Sequence, residues 1–324
     1  MSLGGNPIIS LIVSVYNKEK WVGETVDSLM NQTLRDIEIL LIDDGSTDRS
    51  SQICDDYARK DPRIKVFHQT NKGLGSARNR GLEKAAGQYV LFIDADDWIA
   101  ENACATLYEK SQANHLDVLF FGVTGFLEQI NKFGVYDDFS GFPPRIFNET
   151  LSFKDDVIFN HLFAINHTAW SKLFKKDFLL QNHLAFAEDI IFEDAEFFFR
   201  FIFKAEKIGF IRDGLYFYRQ NIPDSIIKSK DKRYFDSLKV LDLIQNQLKK
   251  NGFFEQLEYP YYRWKLTILK QRYREIRKEF KSEFGELILE NLNRDGLMYS
   301  KSVFSLHDAG KSRRLFIGHP LLFL

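Results

Sequence analysis

In Tyr89-Val90-Leu91-Phe92-Ile93-Asp94-Ala95-Asp96-Asp97-Trp98, five apolar residues run unbroken into an acidic cluster. An apolar run of this length, with no alternation, predicts a strand covered on both faces. Asp94 and Asp96 stand two apart, so on extended chain they point to the same side. Two carboxylates aimed together repel, and a divalent cation relieves the repulsion. A hard cation such as Mg²⁺ or Mn²⁺ suits oxygen ligands and would in turn hold a diphosphate. The plainer reading of the same residues is an Asp-rich turn that caps the next helix.

The chain before this strand repeats its pattern. Ile8 to Val15 is almost wholly apolar and predicts a first strand, closed by Tyr16-Asn17. Lys18 to Asn31 reads as a helix with Trp21, Val22, Val26, Leu29 and Met30 on one face. Ile37 to Ile42 is a second buried strand, ending in Asp43-Asp44-Gly45-Ser46-Thr47-Asp48. Ile64 to His68 is a short third, and Asn71-Lys72-Gly73-Leu74-Gly75 turns into a helix that Gly87 ends. After the acidic cluster come a helix over about Glu101 to Ala113 and a fifth strand over Asp117 to Gly122. Alternating strands and helices predict right-handed crossovers and an α/β domain with a mostly parallel sheet flanked by helices. Ligands of such sheets bind beyond the carboxyl ends of the strands. Two of the strands end there in aspartates.

After Thr124 the pattern loosens. Glu128 to Pro144 predicts a loop or hairpin, Ser152 to Phe163 a helix, and Ala187 to Lys204 an aromatic helix preceded by acidic pairs. Lys207 to Ile211 and Leu215 to Arg219 read as two short strands. From Asp231 only helices remain, one over Leu238 to Leu248 and a basic one over Tyr261 to Phe280. The expected division is a catalytic domain over 6–228, with halves 6–125 and 126–228, and a helical C-terminal region over 229–324. Met1 to Gly5 reads as a leader outside the fold.

Composition narrows the function classes. A chain of 324 residues with 44% hydrophobic and 27% charged content builds a sizeable core, not a disordered chain. A net charge of −1 gives no reason to expect nucleic acid. Cys54 and Cys104 fall in helical segments and imply neither a disulfide framework nor a zinc site, which fits a reducing compartment. No histidine cluster has zinc spacing, no Gly-x-Ser-x-Gly occurs, and Asn71-Lys72-Gly73-Leu74-Gly75 lacks the ending of a P-loop. The 31 phenylalanines leave room for exposed aromatic surface.

Four pieces then fall in order: Ser14-Val15-Tyr16-Asn17; Ile42 to Asp48; Asn71-Lys72-Gly73 with Ala77-Arg78-Asn79-Arg80-Gly81; and Ile93-Asp94-Ala95-Asp96-Asp97. Together they strongly resemble the family 2 glycosyltransferases of the GT-A fold. The likeness is close to about residue 125. It continues more loosely through Trp170-Ser171-Lys172-Leu173-Phe174, Phe192-Glu193-Asp194 and Tyr216 to Arg219, and ends near 228. It implies sugar transfer from a nucleotide-diphospho-sugar to an acceptor hydroxyl, with inversion, by a cytoplasmic bacterial enzyme of surface-polysaccharide synthesis. UDP is the expected nucleotide.

Under that resemblance Asp43 or Asp44 reads the base, Asp44 being favoured, since a carboxylate accepts from a base N–H. Tyr16 and Asn17 line base and ribose. Arg78, near a helix start, meets base or diphosphate. Asp94 binds ribose or metal, and Asp96 is the principal ligand of the Mn²⁺ or Mg²⁺ of this DXD motif. Asp97 is structural. Inversion needs one carboxylate to take the acceptor's proton; Asp194, with Glu193 beside it, is the expected base, and Glu188-Asp189 is the rival pair. Trp170 and Lys172 would shape the acceptor site, with core packing an equal reading of Trp170, and Tyr218-Arg219 would meet the diphosphate. Two other readings stay open: a nucleotidyltransferase, and a module that binds nucleotide-sugar or glycan without turnover. The expected partners are the donor and a free or lipid-linked glycan acceptor. The basic stretch Arg263 to Lys281 and the Arg313-Arg314-Leu315-Phe316-Ile317 segment suggest docking on the inner membrane face, or else packing on the catalytic domain or a homodimer contact.

Overall fold

The computed structural model describes residues 6–137, 139–222 and 230–297, which fall into two compact units divided at 223/224. The first opens with β1 (Ile9–Val15), α1 (Val22–Met30), β2 (Ile37–Asp43), α2 (Ser50–Ala58), β3 (Ile64–His68), α3 (Leu74–Lys84) and β4 (Tyr89–Asp94). It continues through β5 (Trp98–Ile99), α4 (Ala103–Ala113), β6 (Val118–Leu127), β7 (Lys132–Asp137), α5 (Asp156–His161), β8 (Lys172–Lys175), α6 (Lys176–Gln181), α7 (Glu193–Phe201) and β9 (Ile208–Gln220).

Among the described residues one sheet carries all nine strands in the order β3-β2-β1-β4-β8-β6-β9-β5, with β7 hydrogen-bonded to β6. From β3 to β4 it is parallel throughout, and the register sets Ser14 beside both Ile42 and Asp94. The acidic strand ends therefore share one rim. Beyond β4 the sheet is mixed. The short β8 inserts antiparallel between β4 and β6, so the fifth predicted strand does not neighbour the fourth.

The alternating period of the strands divides the core into two layers. Ile9, Leu11, Val13, Ile39, Leu41, Leu91 and Ile93 meet Val22, Val26 and Leu29 of α1, Cys54 of α2 and Leu107 of α4. On the opposite face Gly81 of α3 lies so close over Ile12 that a Cβ would stand 2.2 Å from its Cγ2. There Phe92 meets Phe174 and Phe186, and Phe174 meets Phe197 and Phe201 of α7. Each fully buried Phe of this layer contributes about 1.5–3 kcal/mol, which anchors α7 beneath the rim.

Some boundaries differ from the sequence expectation. The two short strands near the end are one strand, β9, kept continuous by register shifts where Gly122 passes Arg212 and Gly214. The helix expected over Ser152 to Phe163 is only the six residues of α5. The hairpin expected after Glu128 is present as β6–β7.

The second unit holds α8 (Asp236–Lys250), α9 (Phe254–Glu275) and α10 (Lys281–Arg294). Val240, Leu241, Ile244 and Leu248 of α8, Tyr261 and Leu269 of α9, and Phe284, Ile288 and Leu292 of α10 are buried. Lys265, expected as part of a basic surface, is fully buried and bonded to Asp295 at 2.5 Å. Among the described residues no helix is long and apolar enough to cross a membrane. The segment Arg313 to Ile317 lies outside the described residues.

Candidate active site

The turn after β4 closes with Asp97 N–H donating to the Asp94 carbonyl at 3.1 Å. Its three carboxylates then separate. Asp97 points inward, where its oxygens accept from the Tyr216 hydroxyl at 2.8 Å and from Arg219 N–H at 2.8 Å. Burial pushes its pKa well above 3.8, and the charges of Asp96 and Asp94 add to this. The same Tyr216 hydroxyl accepts from Asp94 N–H at 3.1 Å. Asp94 and Asp96 keep partial access to solvent, at 27% and 14% of their side chains. Burial, partly offset by Arg78, raises Asp94 to about 6.

Two cations face this cluster. Lys18, from the loop after β1, places Nζ 2.7 Å from Asp96 Oδ2. It was missed from sequence, where it reads as one charge in a helix start; its loop position beside the second strand's end carried the signal. Arg78 of α3 is only 1% exposed. Its Nη2 donates to Asp94 Oδ1 at 3.1 Å, while Nη1 donates to Glu193 Oε1 at 2.9 Å and Asp194 Oδ1 at 2.6 Å. One guanidinium thus ties the end of β4 to the start of α7. The sequence reading put Arg78 against base or diphosphate, but here it is engaged by three carboxylates and lies over the Phe186 ring.

The approach of α3 to the chain before α7 rests on two residues. Gly75 lies where a Cβ would stand 2.3 Å from the Ala187 carbonyl oxygen, so only glycine fits. Asn79 accepts from Phe186 N–H at 2.7 Å and donates to Phe186 O at 2.9 Å and Glu188 Oε1 at 3.0 Å. Asn79 was not singled out from sequence. The loop it clamps holds Asp189 at φ 59° and Phe192 at φ 68°. A bulky residue in the left-handed region costs about 1–3 kcal/mol, a strain found where geometry is imposed by function. Of the pair that follows, Glu193 is 7% and Asp194 21% exposed in the side chain. Burial, with Asp194 beside it, raises Glu193 to about 7.

Asp43 and Asp44 both lie on the rim, 3% exposed. Asp44 accepts from Gln69 Nε2, Lys72 N–H and Gly73 N–H at 2.8–2.9 Å and so shapes the loop leading to α3. Asp43 accepts from Ser46 N–H at 3.1 Å and bonds His68 Nδ1 at 2.9 Å. Gly45, which follows them, has φ 74°. Asn17, at φ 52°, accepts from Thr47 N–H at 2.8 Å, which latches the loops after β1 and β2 together. Tyr16 projects with 43% of its surface exposed.

Three residues expected on the acceptor or diphosphate side are packed in the interior. Lys172 does not line a cleft: it is fully buried, bonded to the Asn166 and Thr168 carbonyls and to Ser171. Burial lowers its pKa to about 7. Arg219 does not face outward either. Its Nε donates to the Asp96 carbonyl at 2.9 Å, its Nη atoms reach Glu24 and Glu128, and its guanidinium lies between the Trp21 and Trp98 rings. It buckles the acidic turn to α1 and the β6–β7 hairpin. Trp170 is buried, stacked on Tyr216 at 4.7 Å and Tyr218 at 5.2 Å.

The oxygens of Asp94 and Asp96 are the hard donors that Mg²⁺ or Mn²⁺ prefers, and the mutual repulsion that adds to burial in lifting Asp94 and Asp97 is what a divalent cation relieves. Among the described residues no set of three or more His, Cys, Asp or Glu is arranged to hold a metal by itself. Two carboxylates completed by a diphosphate remain a sufficient set.

Comparison with known proteins shows the family and the fold. The profile of glycosyl transferase family 2 matches residues 10–177, more than half of the chain. The glycosyltransferase EpsJ of Bacillus subtilis (strain 168) is 37% identical over 226 residues, 68% of this chain; the match spans 63% of that relative's length. The crystal structure of S. aureus TarS 1-349 in complex with UDP-GlcNAc superposes with a TM-score of 0.61 at 20% identity, covering 95% of this chain and 93% of that one. The mannosyltransferase PcManGT from Pyrobaculum calidifontis, in complex with GDP-Man and Mn²⁺, superposes at 0.52 with 13% identity, covering 94% and 85%. By its sequence the chain belongs to glycosyltransferase family 2, and its fold is GT-A.

Proposed function

We propose that this chain is an inverting, metal-dependent glycosyltransferase. It moves a sugar from a UDP-sugar to an acceptor hydroxyl of a surface glycan, of the capsule, exopolysaccharide or lipopolysaccharide kind. The observation that carries the reading is Arg78, which brings Asp94 of the acidic turn and Asp194 of α7 to one guanidinium. A carboxylate of the acidic turn and one at the start of α7 then meet at one side chain. The nucleotide-sugars held by TarS and PcManGT support the donor class, and the Mn²⁺ of PcManGT supports the metal.

In this reading Asp96 and Asp94 would hold Mn²⁺ or Mg²⁺, which would offset the charge of the departing diphosphate. Asp44 or Asp43 meets the base, and Tyr16 and Asn17 flank it. Asp194, the more exposed of its pair, takes the proton of the acceptor hydroxyl. The acceptor oxygen bonds to the anomeric carbon as the bond from that carbon to the diphosphate oxygen breaks, and the electron pair leaves with UDP. Arg78 holds Asp194 in position, and Glu193 braces Arg78. Assay with UDP-Glc, UDP-Gal, UDP-GlcNAc and UDP-GalNAc plus Mn²⁺ should give transfer from at least one. Calorimetry should rank UDP above GDP and CMP. Tighter binding of GDP or CMP would overturn the nucleotide assignment.

A further inference from the structure

Tyr216 is fully buried in β9, yet its phenol reaches the turn that ends β4, although β8 and β6 lie between the two strands in the sheet. The shortness of β8 allows this. It pairs with β4 only over Tyr89 to Leu91 and with β6 only over Val118 to Phe120. Beyond that level no strand separates β4 from β6. The segment Ala169–Ser171 just before β8 packs against both of them, and its Trp170 ring stacks on Tyr216 at 4.7 Å and 21°. The stack holds the tyrosine ring from the side, so its hydroxyl is set in place.

That hydroxyl makes two bonds. It accepts from Asp94 N–H at 3.1 Å and donates to Asp97 Oδ2 at 2.8 Å. The backbone already closes the turn, through Asp97 N–H to the Asp94 carbonyl at 3.1 Å. The phenol thus adds a second link across the same four residues. The other Asp97 oxygen accepts from Arg219 N–H at 2.8 Å, three residues further along β9. Directly after the turn, Trp98 and Ile99 pair with Phe217 and Tyr216. One end of the turn is therefore fixed to β4 and the other to β9, and the phenol joins the two. Asp94 and Asp96 are carried by this backbone. Left loose, two like charges spread apart, whereas Mg²⁺ demands near-ideal spacing of its oxygens. Groups behind the ligands of a metal commonly set that spacing.

We propose that Tyr216 is a positioning residue for the metal: without touching the ion, its phenol holds the turn so that Asp94 and Asp96 present their oxygens together. The proposal rests on the reading of Asp94 and Asp96 as metal ligands. Calorimetry on the full chain, with UDP titrated in EDTA and at rising Mn²⁺, tests it without turnover. The quantity read is the Mn²⁺ concentration that gives half of the metal-dependent gain in UDP affinity. Tyr216→Phe removes only the hydroxyl and keeps the ring on Trp170. It should raise that concentration about 10- to 100-fold and leave UDP affinity in EDTA as in the parent. The comparison variant is Tyr57→Phe, which removes a phenol bonded at 3.2 Å to the Gly23 carbonyl in the same unit. It should change neither value. All titrations are run below the melting transition of each variant. A Tyr216→Phe half-gain concentration equal to the parent's would overturn the proposal. So would an equal shift in Tyr57→Phe, or a loss of UDP affinity in EDTA by the same factor, since either would make the hydroxyl a support of the fold alone. A parent that gained nothing from Mn²⁺ would overturn the metal reading and this proposal with it; a parent that gained, with Tyr216→Phe unaffected, would overturn this proposal alone.

Discussion

Lys18 and Asp96 form the closest ion pair at the acidic turn. An incoming cation must compete with that ammonium, whose charged hydrogen bond is worth about 1.5–3 kcal/mol. Lys18→Met should therefore tighten Mn²⁺ binding without nucleotide about tenfold, read by electron paramagnetic resonance. Unchanged or weaker binding would show that Lys18 does not hold Asp96 back. A second residue-scale consequence concerns pH. His68 bonds Asp43 and Asp55, which raises its pKa above 6.5. A raised folded value means stabilisation that is full below the unfolded pKa and is lost as pH rises through the folded one. The parent should lose melting temperature on going upward from about pH 6.5, by a small amount because His68 is half exposed. His68→Gln should flatten that slope, and equal slopes would remove His68 as the cause.

At the scale of elements, the β1-to-β4 frame was legible because unbroken apolar runs and their acidic or glycine endings are local signals. The approach of α3 to the loop before α7 was not. It depends on Gly75 fitting under the Ala187 carbonyl, more than a hundred positions away in the chain, and on Asn79 clamping Phe186. Gly75→Ala should cost about 1–3 kcal/mol as an overpacked contact against rigid backbone, read as a lower urea midpoint. It should also loosen the Arg78 tie. A midpoint within error of the parent would mean the loop yields freely. The β8 strand was harder still, being four residues with a buried lysine in it. Lys172 and Arg219 misled for the same reason. A charged side chain reads as surface until tertiary structure supplies carbonyls, carboxylates and aromatic faces to satisfy it. Asp194 itself was legible only as half of an acidic pair; its exposure relative to Glu193 needed the fold.

For the whole molecule, the C-terminal unit supplies the remaining prediction. Burial of Lys265 removes one charge from the expected basic surface, while Arg263, Arg274, Arg277 and Lys278 stay exposed. With about 1 kcal/mol per basic group near anionic lipid, the full chain should co-sediment with phosphatidylserine vesicles at low salt and release at high salt. Failure to sediment at low salt would remove membrane docking from the account.

The central claim is a division of labour across one cleft, with donor and metal on Asp96 and proton removal on Asp194. It is tested most directly by measuring UDP–Mn²⁺ affinity and sugar transfer together for the parent, Asp96→Asn and Asp194→Asn. Asp96→Asn should lose metal-dependent UDP binding, as the parent should in EDTA. Asp194→Asn should bind UDP as the parent does and lose turnover by about 10²–10⁴-fold. An Asp194→Asn enzyme turning over near the parent rate, or an Asp96→Asn enzyme binding UDP and Mn²⁺ undiminished, would contradict it.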